Sequence, residues 1–168
     1  MVTEKNIVFS TRKIKYSKKD YKNGFKLKLS SVLRNPTSMM TYLKALSYNE
    51  NLYEYNKANK EGFNEVVFLN IYGNIAEGAT SNIFIIKDKK IYTPKISDGI
   101  LPGVVRNWVI KNFRVCEKHL DKEDLYSADE VFITNSILGI MKIVQFEERS
   151  YSTSMVERIR SEYEQFII

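Results

Sequence analysis

The chain has 168 residues, 43% apolar and 27% charged, with 7 Gly and 3 Pro, a composition that allows one domain with an ordinary core and excludes a disordered or fibrous chain. Its one cysteine, Cys116, excludes an intrachain disulfide and a thiolate zinc cluster and suits a reducing cytoplasm; no apolar run reaches the ~20 residues that cross a bilayer, and no basic region with an apolar segment opens the chain. The 26 basic against 20 acidic residues leave a net +6, but the excess gathers at Lys13, Lys15, Lys18, Lys19, Lys22, Lys26 and Lys28 between apolar neighbours, the pattern of a solvated strand face, and no nucleic-acid motif accompanies it.

Taken along the chain, residues 7–16 and 25–32 are rich in β-branched and aromatic side chains and predict two strands around a break at Lys22-Asn23-Gly24. Arg34-Asn35-Pro36-Thr37 predicts a loop. Over 41–58, Leu43, Leu46, Leu52, Tyr55 and Ala58 recur at helical intervals, predicting a first long helix that stops near Gly62. Residues 65–72 and 75–77 form a hairpin around Gly73-Asn74, and 81–87 with 90–93 form a second around Asp88-Lys89, ended by Pro94. Ser97-Asp98-Gly99 is a turn. Val105, Trp108, Val109 and Phe113 mark an amphipathic helix after Pro102-Gly103, an acidic turn follows over 121–124, and 129–134 is a strand. Ser154 and Glu157 are spaced as a capping box before a final helix with the stripe Val156, Ile159, Tyr163 and Phe166. The sum is one mixed α/β domain.

The chemistry is narrowed by absence. One His, one Cys and no spaced carboxylate–histidine cluster leave no expected metal site and no Ser-His-Asp machinery, and neither a Walker loop nor a GxGxxG is present. Four segments remain. In Tyr42-Leu43-Lys44-Ala45-Leu46-Ser47-Tyr48, a lysine lies between leucines at the start of the predicted helix; desolvation would make it a nucleophile able to form a Schiff base, whereas most such lysines snorkel to water. In Gly73-Asn74-Ile75-Ala76-Glu77-Gly78-Ala79-Thr80-Ser81-Asn82, a carboxylate stands among small residues that let a planar ligand approach, or is an ordinary part-exposed Glu. Gly99-Ile100-Leu101-Pro102-Gly103-Val104-Val105-Arg106 enters a helix whose free amides suit a phosphate. Phe132-Ile133-Thr134-Asn135-Ser136 ends a strand in polar side chains that could complete an anion site.

In this order the four segments resemble the class IV aminotransferases, pyridoxal-phosphate proteins that include branched-chain and D-amino-acid aminotransferases and 4-amino-4-deoxychorismate lyase. The resemblance runs over about residues 9–144. It implies the D-amino-acid aminotransferase-like fold, a curved mixed sheet or pseudo-barrel flanked by helices, with pyridoxal 5'-phosphate as cofactor. It also implies roles. Lys44 matches the lysine that carries the cofactor and shuttles protons, Glu77 the acid that pairs with the pyridine nitrogen, and Leu101 the residue packed on the ring. Val104 and Val105 match the helix N-terminal pair that holds the phosphate, where relatives often have Thr second. Thr80 lies near the ring, and Asn135 with Ser136 match the loop near phosphate and substrate.

In the family the lysine follows a small N-terminal domain that supplies a phosphate arginine, so residues 1–168 are expected to be the C-terminal domain alone, doubtful as an isolated catalyst. Family enzymes are homodimers, and one is expected here. Asn135-Ser136-Ile137-Leu138 looks more like the lyase, which releases pyruvate and 4-aminobenzoate for folate biosynthesis, and Lys44-Ala45-Leu46-Ser47-Tyr48 looks closer to the lyase and D-amino-acid branches than to the branched-chain enzymes. A branched-chain or D-amino-acid aminotransferase is the alternative, and a basic binding domain without catalysis stays open.

Overall fold

The computed structural model describes residues 11, 13, 16–45 and 48–167. The strand expected over 7–16 lies mostly outside them. The chain then runs through a short helix α1 (Lys18–Asn23), strand β1 (Phe25–Leu29), a 3-10 turn (Met39–Tyr42), helix α2 (Asn49–Lys60), β2 (Glu65–Leu69), β3 (Ile75–Gly78), β4 (Asn82–Lys87) and β5 (Lys90–Pro94). A second 3-10 turn (Ile96–Asp98) leads to α3 (Val104–Asn112), β6 (Val115–Lys118), α4 (Lys122–Tyr126), β7 (Glu130–Asn135), β8 (Gly139–Phe146), β9 (Arg149–Ser150) and α5 (Ser154–Ile167).

The strands form one mixed sheet in the order β3-β2-β1-β8-β7-β4-β5-β6, with β9 on β8. β1 lies parallel to both β2 and β8, and β5 parallel to β6, while the remaining pairs are antiparallel. The two ends of this path meet: the Ile75 amide on β3 donates to the Leu120 carbonyl just beyond β6 at 2.6 Å, and Asn74 bridges Asp121. The sheet therefore curls into the expected pseudo-barrel, which also covers its edges.

Strand alternation sorts the core. On β4, Ile83 and Ile85 point into the barrel with Val131, Ile133, Met141 and Phe146, whereas Phe84 and Ile86 point outward beneath α3 and α5 with Val105, Val109, Val156 and Ile159. Phe84 opposes Phe132 in register and stacks on it at 4.7 Å, a cross-strand aromatic pair that fixes β4 against β7. On β2, Val67 faces the barrel while Val66 and Phe68 pack with Ala58 under α2.

Three expectations are corrected. The break before β1 is helical, because Ser17 and Asp20 form a reciprocal capping box, with the Ser17 amide 2.7 Å from Asp20 Oδ2. The helix expected from Thr41 begins only at Asn49: the Ala45 amide bonds the Leu43 carbonyl two residues back at 2.8 Å, a three-residue turn centred on Lys44 that prevents the helical ladder from starting. Lys44 is thus in a connection and not on a helix. Moreover, α2 buries Asn51, Glu54 and Ala58 while Leu43 and Leu52 are exposed, so Ala58 on Val66 and Phe68, together with buried polar residues, holds that helix rather than the leucines.

The third correction concerns α5. Ser154 is its first residue and does not form a capping box with Glu157, which instead pairs with Lys142 at 2.6 Å. The cap comes from β7: the buried Glu130 carboxylate accepts from the Met155 and Val156 amides at 3.0 and 2.9 Å and from the Ser154 hydroxyl at 3.0 Å. Two orphan amides at the helix start are satisfied by a carboxylate favoured there by the helix dipole. Glu130→Ala is accordingly expected to lower stability by about 2 kcal/mol in denaturant titration, and Glu157→Ala by much less. Equal losses would contradict this assignment of the cap.

Candidate functional site

The β3–β4 hairpin, the 99–103 segment and the start of α3 come together at one end of the barrel. Glu77, at the end of β3, is part-buried. Its Oε2 accepts the Leu101 amide at 2.9 Å and the Asn82 amide nitrogen at 3.4 Å, and Asn82 also donates to the Leu101 carbonyl at 2.8 Å. A Cβ on Gly103 would fall 2.2 Å from Asn82 Oδ1, so only glycine leaves room for the side chain that clamps Glu77 to Leu101. Burial pushes the Glu77 carboxyl up to about 7; the Leu101 amide and the charges of Arg34 and Lys44 pull it down, and the charge of Glu65 raises it. A carboxyl poised near neutrality can hold or release a proton with small changes around it.

Lys44 lies within electrostatic reach of this carboxyl. It is exposed, in a segment held down by the Thr41 hydroxyl on the Asn35 carbonyl at 2.7 Å and the Tyr42 hydroxyl on the Pro36 carbonyl at 2.9 Å. Leu46 and Ser47 lie outside the described residues. Tyr48, the N-cap residue of α2, donates its hydroxyl to the Ala79 carbonyl, and Asn51 donates to the same oxygen at 2.7 Å. Burial first, and then the charge of Glu77, raise the Tyr48 pKa.

The first turn of α3 presents an uncapped N-terminus. Gly103 supplies no side-chain cap, and the first backbone bond of the helix is from the Asn107 amide to the Gly103 carbonyl at 2.9 Å. Val104 is 75% exposed and Val105 is buried, so the amides of both stand in the turn where an anion is favoured. Arg106 belongs to the fold: it is buried on the Pro94 carbonyl at 2.9 Å and pairs with Glu117 at 2.5 Å.

Thr80 and Asn135 are joined directly. The Asn135 amide nitrogen donates to the Thr80 carbonyl at 3.1 Å, and its Oδ1 accepts the Ile137 and Leu138 amides at 2.9 and 2.7 Å. Ser136 is exposed in that turn. The structure thus joins Glu77 to Leu101 and Thr80 to Asn135, places Val104 and Val105 after Leu101-Pro102-Gly103, and leaves Lys44 tied to the group by charge and Ser136 by chain position.

Two further groups belong here. Arg34 lies with its guanidinium 4.3 Å from the Phe68 ring centre, its Nε buried without a partner among the described residues, and its charge acts on Glu77. A lone arginine in a loop carries no periodic signal. Glu65 opens β2 with its carboxylate buried under the 79–81 turn; a charged residue at the head of the apolar run Val66-Val67-Phe68-Leu69 is the signal available in sequence. Among the described residues, no group of three or more His, Cys, Asp or Glu could hold a metal ion, and no helix is long and apolar enough to cross a membrane.

A family described as amino-transferase class IV matches residues 2–146. The chain is 35% identical over 135 residues to an aminodeoxychorismate lyase of Bacillus subtilis, covering 77% of this chain and 46% of that protein. It is 31% identical over 155 residues to a probable branched-chain-amino-acid aminotransferase of Aquifex aeolicus, covering 88% and 50%. A solved aminotransferase from Brucella abortus, bound to pyridoxal phosphate, superposes with a TM-score of 0.82 at 28% identity over 94% of this chain and 57% of that one. The chain spans about half the length of these relatives.

Proposed function

The chain belongs to the class IV aminotransferase family, and from that premise we propose that residues 1–168 form the cofactor-carrying C-terminal domain of a pyridoxal-phosphate enzyme, a 4-amino-4-deoxychorismate lyase, acting as a homodimer in the cytoplasm. The observation that carries the reading is Glu77: a carboxyl raised toward neutrality, held through Oε2 by the Leu101 amide, beside a lysine charge.

The residues fit the group. Pyridoxal phosphate, when bound, supplies an aldehyde that condenses with amines and a pyridine ring that takes up the electron pair freed beside the amine. Lys44 is the amine that would hold it, and the same amine, when free, would be the base that takes the proton from the substrate's amine-bearing carbon. Glu77 would face the ring nitrogen with Oε1, the oxygen left by the bonds to Leu101 and Asn82. The same bonds fix Leu101 beside that carboxylate, where its side chain can cover the ring. The Val104 and Val105 amides at the open start of α3 would take the phosphate; Val105 supplies no hydroxyl. Thr80 and Asn135, joined at 3.1 Å, would wall the opposite side with Ser136 at the rim.

Lyase activity is supported by the 35% identity to the Bacillus subtilis lyase and by Asn135-Ser136 running directly into apolar residues. The 31% identity to the Aquifex aeolicus aminotransferase over a longer stretch favours a second reading, amino transfer to a keto acid. The enzyme supplied with aminodeoxychorismate is expected to release 4-aminobenzoate and pyruvate without any keto acid. Turnover only with a keto-acid acceptor would select the second reading.

A further inference from the structure

Glu65 is 2% exposed, and among the described residues its carboxylate accepts five hydrogen bonds. Oε1 accepts the amides of Val66 at 3.0 Å and Ala79 at 3.1 Å. Oε2 accepts the Thr80 amide at 3.3 Å, the Thr80 hydroxyl at 2.8 Å and the Ser81 hydroxyl at 3.0 Å. Burial pushes this carboxyl upward and the hydrogen bonds oppose it. Either form of the carboxyl is accommodated, because the three amides only donate whereas the Thr80 and Ser81 hydroxyls can also turn to accept.

The consequence lies on the other side of the turn. With the Ala79 and Thr80 amides turned inward onto Glu65, their carbonyls face outward, and both are used. Ala79 oxygen takes Asn51 and the Tyr48 hydroxyl, in the segment that follows Lys44. Thr80 oxygen takes Asn135, whose own side chain holds the Ile137 and Leu138 amides. The Gly78 amide closes the turn on the Ser81 carbonyl at 2.7 Å, and a Cβ on Gly78 would collide with Ser81 Oγ at 2.3 Å. Two segments distant in sequence are therefore tied, through one turn, to a single buried carboxylate at the head of β2.

We propose that Glu65 is the positioning residue of the pocket: by holding the 79–81 turn it anchors both the Tyr48 segment and the 135–138 turn to the strands that carry Glu77. The anchoring stands on hydrogen bonds alone; that these segments wall a cofactor pocket rests on the reading under Proposed function. Glu65 touches no ligand in this role and acts through Thr80, Tyr48 and Asn135. It also acts on Glu77 by charge, alongside Arg34 and Lys44.

Glu65→Gln keeps the shape and the Oε1 acceptor but sets an NH2 group against the Thr80 amide, which then has no acceptor, while the two hydroxyls can rotate to accept. In amide hydrogen exchange on the full chain without cofactor, this variant is expected to lose protection about tenfold at Ala79 and Thr80 and also at Ile137 and Leu138, with Phe84 and Phe132 in the sheet unchanged. The pyridoxal phosphate concentration giving half-maximal absorbance change should rise about tenfold, and the Glu77 titration should move down. Loss of protection confined to 79–80 would overturn the proposal. If Glu65→Gln loosens the whole sheet, Thr80→Ala, which removes only the shortest of these bonds, is expected to give the same pattern more weakly; unaltered exchange at 137–138 in that variant would overturn it as well. Failure of the wild-type chain to take up pyridoxal phosphate would instead reject the cofactor reading, and the exchange pattern would still decide the anchoring.

Discussion

Glu77→Gln is expected to cost the loaded enzyme on the order of 10²–10³ in turnover while making the cofactor-free protein more stable at pH 8. The first effect follows if Glu77 is, as proposed, the carboxylate that pairs with a protonated ring nitrogen, an interaction that would strengthen as charge develops. The second follows from proton linkage. Between its ordinary value of 4.5 and about 7, the native state holds a proton on Glu77 that the unfolded chain has released, so unfolding free energy falls as pH rises through that window. The full excursion is at most about 3 kcal/mol, reduced because the side chain is only part-buried. Glutamine resembles the protonated acid, so the variant should match wild type near pH 4 and exceed it at pH 8, as denaturant midpoints at the two values would read. A variant less stable than wild type at pH 8 would mean that Glu77 is held ionised in the cofactor-free fold. The combination of lost activity and gained stability is what a functional group held against its own solvation produces.

Lys44→Ala is expected to abolish turnover, on the order of 10³-fold or more, with no measurable change in thermal midpoint. The side chain is exposed at the centre of a three-residue turn. Replacement by Arg, which keeps the charge near Glu77 but cannot condense with an aldehyde, should be equally inactive. Activity retained in either variant would remove Lys44 from the chemistry, and a large loss of stability would show that the turn itself depends on the lysine.

Strands β1 to β5, β7 and helix α3 were legible because their signals are local: alternation in Ile83-Phe84-Ile85-Ile86, a two-residue turn at Asp88-Lys89 with both residues at positive φ, and Pro102-Gly103 before an apolar stripe. What the sequence hides is settled by contacts between distant residues. The start of α2 depends on Tyr48 and Asn51 reaching the Ala79 carbonyl, which no helical period encodes, so the leucine spacing from Leu43 misleads. The cap of α5 comes from Glu130, far back on β7, and competes successfully with the local Ser154–Glu157 pattern because a buried carboxylate fixed by a strand loses little freedom in binding two amides. β6 and β8 are missed for related reasons. β6 is a four-residue strand at the end of the sheet path, and β8 carries Lys142 and Gln145 where its other face meets solvent or α5. At the site, Glu77 and the 101–105 segment stand out by composition, but the links Glu77–Leu101 and Thr80–Asn135 arise only when the sheet curls. Arg34 and Glu65 gain their meaning from burial, which a single charged letter in a row does not display.

The most direct test of the central claim is to incubate the full chain with pyridoxal phosphate, reduce it with borohydride and map the modified peptide by mass spectrometry. A single pyridoxyl group is expected on Lys44, absent from Lys44→Ala and weakened in Glu77→Gln. Modification scattered over surface lysines such as Lys26 and Lys60, or undiminished in Lys44→Ala, would contradict it.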